Sequence, residues 1–237
     1  MEYKFVKDVM NALGCQNVLK VDFSPKKTCN FDCIYCSVGR TTNWLMERTE
    51  FYPVEEIFSE ISSYIDNNGE VNYIMLTGSG EPALYSGFGR LSEMIKQQYP
   101  NIGIMAYTNG TLLNRKDVQT EFSNCDIIGC NLNSVYEGEF KKICRPLTKV
   151  RLQDTLNGLK EFSKHFKGIL LFDTKFVRDI NDTEKNVQGL IEYLKEVQPN
   201  KYTVINRKYK GQELTEEFKA FLEQTMRDLP FPVDLYL

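Results

Sequence analysis

Short apolar runs alternate with amphipathic stretches six times along this chain, and that alternation restricts the fold more than any other feature. A strand, a helix and a second strand in succession return the chain to one sheet in parallel, with the helices covering its outer face. The sequence predicts strands at 17–24, 73–77, 102–108, 126–132, 168–177 and 201–206. Helices are predicted at 53–68, 88–98, 115–122, 151–166, from Asp182 or Thr183 to about 197, and at 215–226. The first of these is typical. Pro53 suits an opening turn, Val54, Ile57, Phe58, Ile61 and Ile65 form one apolar stripe, and Gly69 ends it. Six such units are too few for an eight-fold barrel. The expectation is therefore α/β: a partial (β/α)6 TIM-type barrel with parallel strands. It spans one domain over 1–237, with a cysteine loop at 25–40 and a short C-terminal helical extension at 213–237.

In α/β sheets of this kind, ligands gather outside the carboxyl ends of the strands. Each of the first four strands delivers a polar motif there. Strand one leads into the cysteines, strand two into Gly78-Ser79-Gly80-Glu81-Pro82, strand three into Thr108-Asn109-Gly110-Thr111, and strand four into Asn131-Leu132-Asn133-Ser134.

The first motif, Cys29-Asn-Phe-Asp-Cys33-Ile-Tyr-Cys36, places three thiols in one loop. Close spacing of this sort points to metal. Electron-transfer cubane clusters take four cysteine ligands, so three leave one iron open to a substrate or cofactor. A tetrahedral zinc needs a fourth Cys or His. The single histidine, His165, lies far along the chain in a predicted helix, and no second CxxC follows. Zinc is the lesser reading. Cys15, Cys125, Cys130 and Cys144 are scattered and read as core residues, since small buried thiols behave as hydrophobes.

The formal charge of −3 and pI near 5.5 provide no general attraction to nucleic acid or anionic membrane. The amino-terminal stretch lacks the apolar centre of a signal peptide, and no run approaches the roughly 18 apolar residues of a membrane helix. Seven cysteines then imply a reducing, cytoplasmic setting rather than disulfides.

CxxxCxxC after a first strand, with Tyr35 before the last cysteine, resembles the signature of the radical S-adenosylmethionine (SAM) superfamily, and GSGEP resembles its GGEP motif. More narrowly, SPKKTCNFDCIYCSVGRTTN with GSGEP, TNGTLL, CRP and DIND is similar to wyosine-synthase-like Fe–S oxidoreductases. The resemblance implies a [4Fe–4S] cluster held by Cys29, Cys33 and Cys36, with SAM chelating the open iron. An external low-potential donor, flavodoxin- or ferredoxin-like, would reduce the cluster, and a 5′-deoxyadenosyl radical would take hydrogen from a substrate. It also implies SAM contacts at Gly78, Ser79, Gly80 and Glu81, at Thr108 and Asn109, at Asn131, Asn133 and Ser134, and at Tyr35 beside adenine. Thr174, Lys175 and Val177 follow as weaker candidates.

Ser79 departs from the commoner glycine. The second cluster of wyosine-forming enzymes lacks its cysteines here, since only Cys15 precedes the main motif. Lys26, Lys27, Arg40, Arg48, Arg145, Lys175, Arg178 and Arg207 are placed around the mouth of the barrel, as a collar for anionic groups or as ordinary solvated surface. Trp44 and Tyr52, near the cysteine loop, would stack on a base or shield the cluster, and shielding is ranked first. A peptide or protein substrate is ranked first, ahead of a tRNA guanosine and a small metabolite. A non-catalytic iron–sulfur carrier is the alternative from another class.

Overall fold

Hydrogen bonding turns the predicted strands into one continuous sheet. The structure, a computed structural model, describes residues 3–237. In chain order its strands are β1 (Val6–Ala12), β2 (Cys15–Asp22), β3 (Thr28–Cys29), β4 (Asn43–Trp44), β5 (Tyr73–Thr77), β6 (Gly103–Thr108), β7 (Ile127–Asn131), β8 (Ile169–Phe176), β9 (Lys201–Asn206) and β10 (Val233–Tyr236). The main sheet runs β1-β2-β5-β6-β7-β8-β9-β10. All neighbours are parallel except β1, which forms an antiparallel hairpin with β2. β3 and β4 pair separately beside it.

The helices are α1 (Val54–Asn68), α2 (Phe88–Gln98), α3 (Lys116–Phe122), α4 (Glu137–Cys144), α5 (Leu152–His165), α6 (Glu184–Val197) and α7 (Glu216–Met226). Thr183, rather than Asp182, caps α6: its hydroxyl accepts from Asn186 N at 3.1 Å. Among the described residues no helix is long and apolar enough to cross a membrane.

The six predicted strands correspond to β2 and β5–β9, in sequence order across the sheet, as a partial parallel barrel requires. Three elements had no clear sequence signal. β1 is almost wholly exposed, so it carries no apolar alternation; pairing with β2 makes it a strand. α4 is a two-turn helix between NLNS and α5. The expectation of a helical 213–237 segment is corrected by β10, which adds a seventh parallel strand next to β9. β10 has only four residues, too few to reveal a period before the edge of β9 pairs with it.

The principal core lies between the outer face of the sheet and the helices. It gathers Leu19, Val21, Ile74, Leu76, Ile104, Ile128 and Phe172 from strands with Ile57, Ile61, Leu91, Phe122, Leu159 and Leu190 from helices. Val18, Met75, Met105 and Ile127 form a smaller cluster on the inner face, near the amino-terminal ends of the strands. The inner face therefore becomes polar only toward the carboxyl ends.

Candidate active site

The cysteine loop is anchored along its length. Thr28 pairs with Gly80 across a parallel bridge, with Thr28 N donating to Ser79 O (3.2 Å) and Glu81 N to Thr28 O (3.0 Å). GSGEP is thus stitched to the residue preceding Cys29. A Cβ on Gly80 would fall 1.6 Å from the Thr28 carbonyl oxygen, so only glycine permits this approach, while one on Gly78 would fall 1.9 Å from Ser24 Oγ and force that side chain to move. Ser79 donates its hydroxyl to Asp22 at 2.5 Å, and its N–H bonds the same carboxylate at 2.9 Å. Gly78 and Ser79 therefore lock the loop to β2.

Cys29, Cys33 and Cys36 line one cleft of about 100 Å³ with Lys27, Phe31, Tyr35, Gly80, Glu81, Tyr107, Thr108, Asn109 and Asn131. Lys27 Nζ lies 2.8 Å from Cys36 Sγ. Burial works against the Lys27 ammonium, but the Cys36 hydrogen bond and the three thiols' charges outweigh it and raise its pKa. Burial first, then Glu81, pushes the Cys29 thiol up to about 12. Among the described residues no three His, Cys, Asp or Glu side chains converge on one metal-ion position. The cleft holds three thiols and no histidine; in kind, that donor set suits a cubane cluster with one iron open better than a tetrahedral zinc, which needs a fourth Cys or His.

Glu81 is buried and holds the neighbouring strand ends together. Oε1 accepts from Ala83 N (3.0 Å) and the Thr108 hydroxyl, and Oε2 accepts from Asn109 N (2.7 Å). Burial raises its pKa to about 7 against these hydrogen bonds. Oε2 keeps acceptor capacity for one more donor. Asn109 is the hub of a second network. Nδ2 donates to Asn30 Oδ1 (2.7 Å), while Oδ1 accepts from the Thr111 hydroxyl (2.7 Å) and N–H (3.0 Å), and Asn30 Nδ2 closes the ring onto Thr111 Oγ1 (2.7 Å).

The NLNS residues divide. Asn131 faces the cleft, where its Oδ1 accepts from Lys175 Nζ (2.5 Å) and Tyr107 Oη (3.3 Å). Asn133 is engaged inside the protein: Nδ2 donates to Tyr35 Oη (2.7 Å), and Oδ1 accepts from Lys175 N (2.8 Å). Ser134 Oγ accepts from Tyr136 N (2.9 Å) in a local turn. The DIND segment supports both strand ends, with Asn181 Nδ2 donating to Asn133 O and Lys175 O.

The basic collar is not one structure. Arg48 is buried, bonded to Ala83 O, Tyr85 O and Glu121, and serves packing between loop and helix. Arg40 is exposed and pairs with the buried Asp32 at 2.6 Å. Arg207 donates to Tyr35 O (3.1 Å), and Arg178 lies beside Asp179. Tyr52 packs edge-on against Phe5 and is not among the residues lining the three-thiol cleft, whereas half-exposed Trp44 pairs with Cys29 across β3–β4. Thr174 is buried between Leu132 O and the Tyr202 hydroxyl, and Val177 is core. Cys125 and Cys130 are core residues. His165 is exposed beside Glu161.

Sequence reasoning did not foresee a second cavity of about 340 Å³ on the inner face. It is lined by Tyr107, Asp173, Lys175, Lys201, Thr203 and Asp234, with Leu13 and Gly14 of the β1–β2 turn at one side and Tyr236 of β10 at the other. Tyr107 lines both cavities. Lys175 Nζ joins them, donating to Tyr107 Oη (3.0 Å), Asn131 and Asp173. The available signal was period two: Asp173 and Lys175 alternate along β8 and share the inner face.

The family model of the radical SAM superfamily matches residues 23–187. A UPF0026 protein of Methanocaldococcus jannaschii is 35% identical over 185 residues, covering 77% of this chain and 57% of the relative. A GTP 3′,8-cyclase of Campylobacter lari is 27% identical over 161 residues, 68% of this chain and 48% of that one. The chain thus spans about half the length of these relatives. Among solved structures, a radical SAM methyltransferase from Sphaerobacter thermophilus superposes over 96% of this chain and 67% of its own, with a TM-score of 0.68 at 14% identity. At that identity the match speaks for the fold alone, a mostly parallel α/β partial barrel.

Proposed function

The chain belongs to the radical SAM superfamily, and from that premise we propose that it is an enzyme carrying a [4Fe–4S] cluster on Cys29, Cys33 and Cys36 and acting on a peptide or protein segment admitted to the inner cavity. With SAM bound, the cluster supplies reductive cleavage of a carbon–sulfur bond and hence a carbon radical able to abstract hydrogen. The rest is the work of this chain's residues. Lys27 offsets the negative charge that three thiolates bring into a half-buried cleft. Gly80 offers a backbone open to close approach, and Glu81 Oε2 retains a lone pair for the cofactor's ammonium. Thr108 and Asn109 fix that carboxylate, while Asn131 and Tyr35 bound the side toward the inner cavity. Gly78, Ser79, Asn133 and Ser134 act one step back, holding the loops that carry these groups. Phe31 and the buried Cys29 exclude water from the cleft floor.

The observation that carries the reading is that the three-thiol cleft and the inner cavity meet at Tyr107 and Lys175. A substrate atom resting against those residues sits beside the cofactor. The inner cavity is bounded by the β1–β2 turn and the edge strand β10, with exposed Val9 and Met10 on β1 and Tyr236 on β10. A chain segment can enter between two unclosed sheet edges, and apolar edge residues suit a polypeptide. The Asp173–Lys175 and Lys201–Asp234 pairs suit a polar side chain at its tip. A nucleotide substrate is the second reading, supported by the named activity of the Campylobacter relative and by two lysines in the cavity.

The test is anaerobic reconstitution with iron and sulfide, then dithionite and SAM, with 5′-deoxyadenosine measured by chromatography. Wild type is expected to form it, and Cys29→Ala, Cys33→Ala and Cys36→Ala to lose both the cluster spectrum and the product. A cluster spectrum retained in all three variants refutes the assignment; a reduced cluster indifferent to SAM makes the protein a carrier. Substrate class follows from which fraction of a cell extract stimulates 5′-deoxyadenosine formation. Stimulation destroyed by protease supports a polypeptide. Destruction by ribonuclease, or passage through a small-solute filter, overturns it.

A further inference from the structure

Residues Asn30–Ile34 of the cysteine loop run antiparallel to Ile143–Leu147, the segment that closes α4. Leu147 N donates to Asn30 O (2.9 Å), Asp32 N is shared between Cys144 O (3.1 Å) and Arg145 O (3.2 Å), and Ile34 N donates to Ile143 O (3.0 Å). Phe31 bridges Pro146. Each step forward on one side is a step back on the other, so the residue facing Cys33 is Cys144. Left-handed backbone at Arg145 (φ 47°) ends α4 and turns its last residues into this pairing.

Cys33 and Cys144 therefore lie between backbone contacts on both sides, Asp32 with Arg145 and Ile34 with Ile143. Segments bonded to each other in this way approach closely enough for a disulfide, which needs α-carbons about 4.4–6.8 Å apart. The Cys33 thiol lies within hydrogen-bonding reach of the Cys144 thiol and of the Tyr35 hydroxyl, and Asn133 Nδ2 donates to Cys144 Sγ at 3.8 Å. The other two loop thiols are held elsewhere, Cys36 by Lys27 and Cys29 by Phe31 N and Asn109 Nδ2.

We propose that Cys33 and Cys144 form a reversible disulfide in the iron-free protein under oxygen, so that reduction of this bond precedes loading of the metal site. Each thiol gives up one proton and one electron as the sulfur–sulfur bond forms, and molecular oxygen takes both pairs to become hydrogen peroxide. A dithiol reverses the step by exchange through a mixed disulfide. The bond also keeps Cys33 from the irreversible sulfinic and sulfonic states, for which a free thiol has no protection. Only the consequence for loading rests on Cys33 being a cluster ligand; the disulfide stands or falls by itself.

The experiment uses the full chain, prepared anaerobically, freed of iron by chelator, and then divided between air and inert gas. Free thiols are blocked with N-ethylmaleimide and the protein is digested with trypsin without reductant. Cleavage after Lys27, Arg40, Lys142 and Lys149, with the Arg145–Pro146 bond resistant, isolates the peptides 28–40 and 143–149. In air they are expected as one linked species, two hydrogens lighter than the pair, with label on Cys29 and Cys36. Dithiothreitol is expected to separate them, and Cys144→Ser and Cys144→Ala to lack the linked form. After air exposure, wild type is expected to lose cluster reconstitution until a dithiol is added, and both variants to retain it without one. Labelling of all loop thiols after air, or a bond from Cys33 to Cys29 or Cys36, overturns the proposal. So does a folded Cys144 variant, by circular dichroism, that fails to build the wild-type cluster spectrum, because Cys144 would then be a ligand. A linked peptide in a wild-type chain that never accepts a cluster upholds the disulfide and refutes the cluster assignment.

Discussion

Replacing Gly80 by alanine tests the claim that the GSGEP turn is built by close backbone approach. The new Cβ would lie 1.6 Å from the Thr28 carbonyl oxygen and 2.5 Å from its carbon. Those atoms are backbone in a buried bridge, so no side-chain rotation relieves the clash, and the strand pair must separate. Separation breaks the bonds Thr28 N to Ser79 O and Glu81 N to Thr28 O, which together contribute about 2 kcal/mol. Displacement of packed neighbours adds roughly 1–3 kcal/mol. Gly80→Ala is therefore expected to lose about 3–5 kcal/mol of stability. Gly138, in the first turn of α4 with nothing within 4 Å of an added Cβ, is the control. Gly138→Ala should be neutral or stabilising, by up to about 1 kcal/mol. Urea unfolding of the iron-free protein, followed by circular dichroism, measures both. If Gly80→Ala unfolds within about 1 kcal/mol of wild type, the turn tolerates a side chain and the argument from close approach is wrong.

Other outcomes follow from the same network. Because burial lifts Glu81 to about 7, the folded iron-free protein favours its neutral form; that stabilisation is complete below the unfolded value near 4.5 and disappears as pH climbs through 7. Relative to Glu81→Gln, wild type should lose roughly 3 kcal/mol between pH 5 and pH 8, read from unfolding midpoints across that range; parallel curves would contradict the assignment. Arg48→Ala should cost about 3 kcal/mol or more in urea unfolding, since Glu121 and two carbonyls lose a buried partner, whereas Arg178→Ala, whose partner Asp179 is exposed like itself, should cost under about 1 kcal/mol. Equal losses would return Arg48 to the surface collar. Asn109→Ala strands the amide of Asn30 and the hydroxyl of Thr111 and should cost about 2–4 kcal/mol; a near-neutral result would mean that the ring of amides is not a structural hub.

The chain itself declares its strands where burial on both faces forces an apolar run. YIMLT was legible to the residue in this way, and KYTVIN, half-buried with period two, was legible too, as was α2. β1 and β10 were illegible because an exposed edge strand needs no apolar pattern, only a neighbour with free hydrogen-bonding groups. At the site, residue type and spacing announced the three thiols, since metal chemistry limits which side chains serve. The same reasoning did not sort the loop residues into those facing the cleft and those behind it. Ser79, Asn133 and Ser134 have the composition of ligands, yet Asp22, Tyr35 and Tyr136 satisfy them. Which partner a buried polar group meets is a matter of three-dimensional neighbours, and these lie up to 98 residues away.

Sequence by itself determined the order of strand and helix, the end of the sheet where polar motifs gather, and three closely spaced thiols in one loop. Those properties are local: periodicity and spacing within a few residues create them. Tertiary structure decided that Cys33 faces Cys144, that Arg48 is buried, and that Lys175 joins two cavities. Each depends on the register between distant segments, which no single segment encodes, because register is set by the combined burial and hydrogen bonding of both partners.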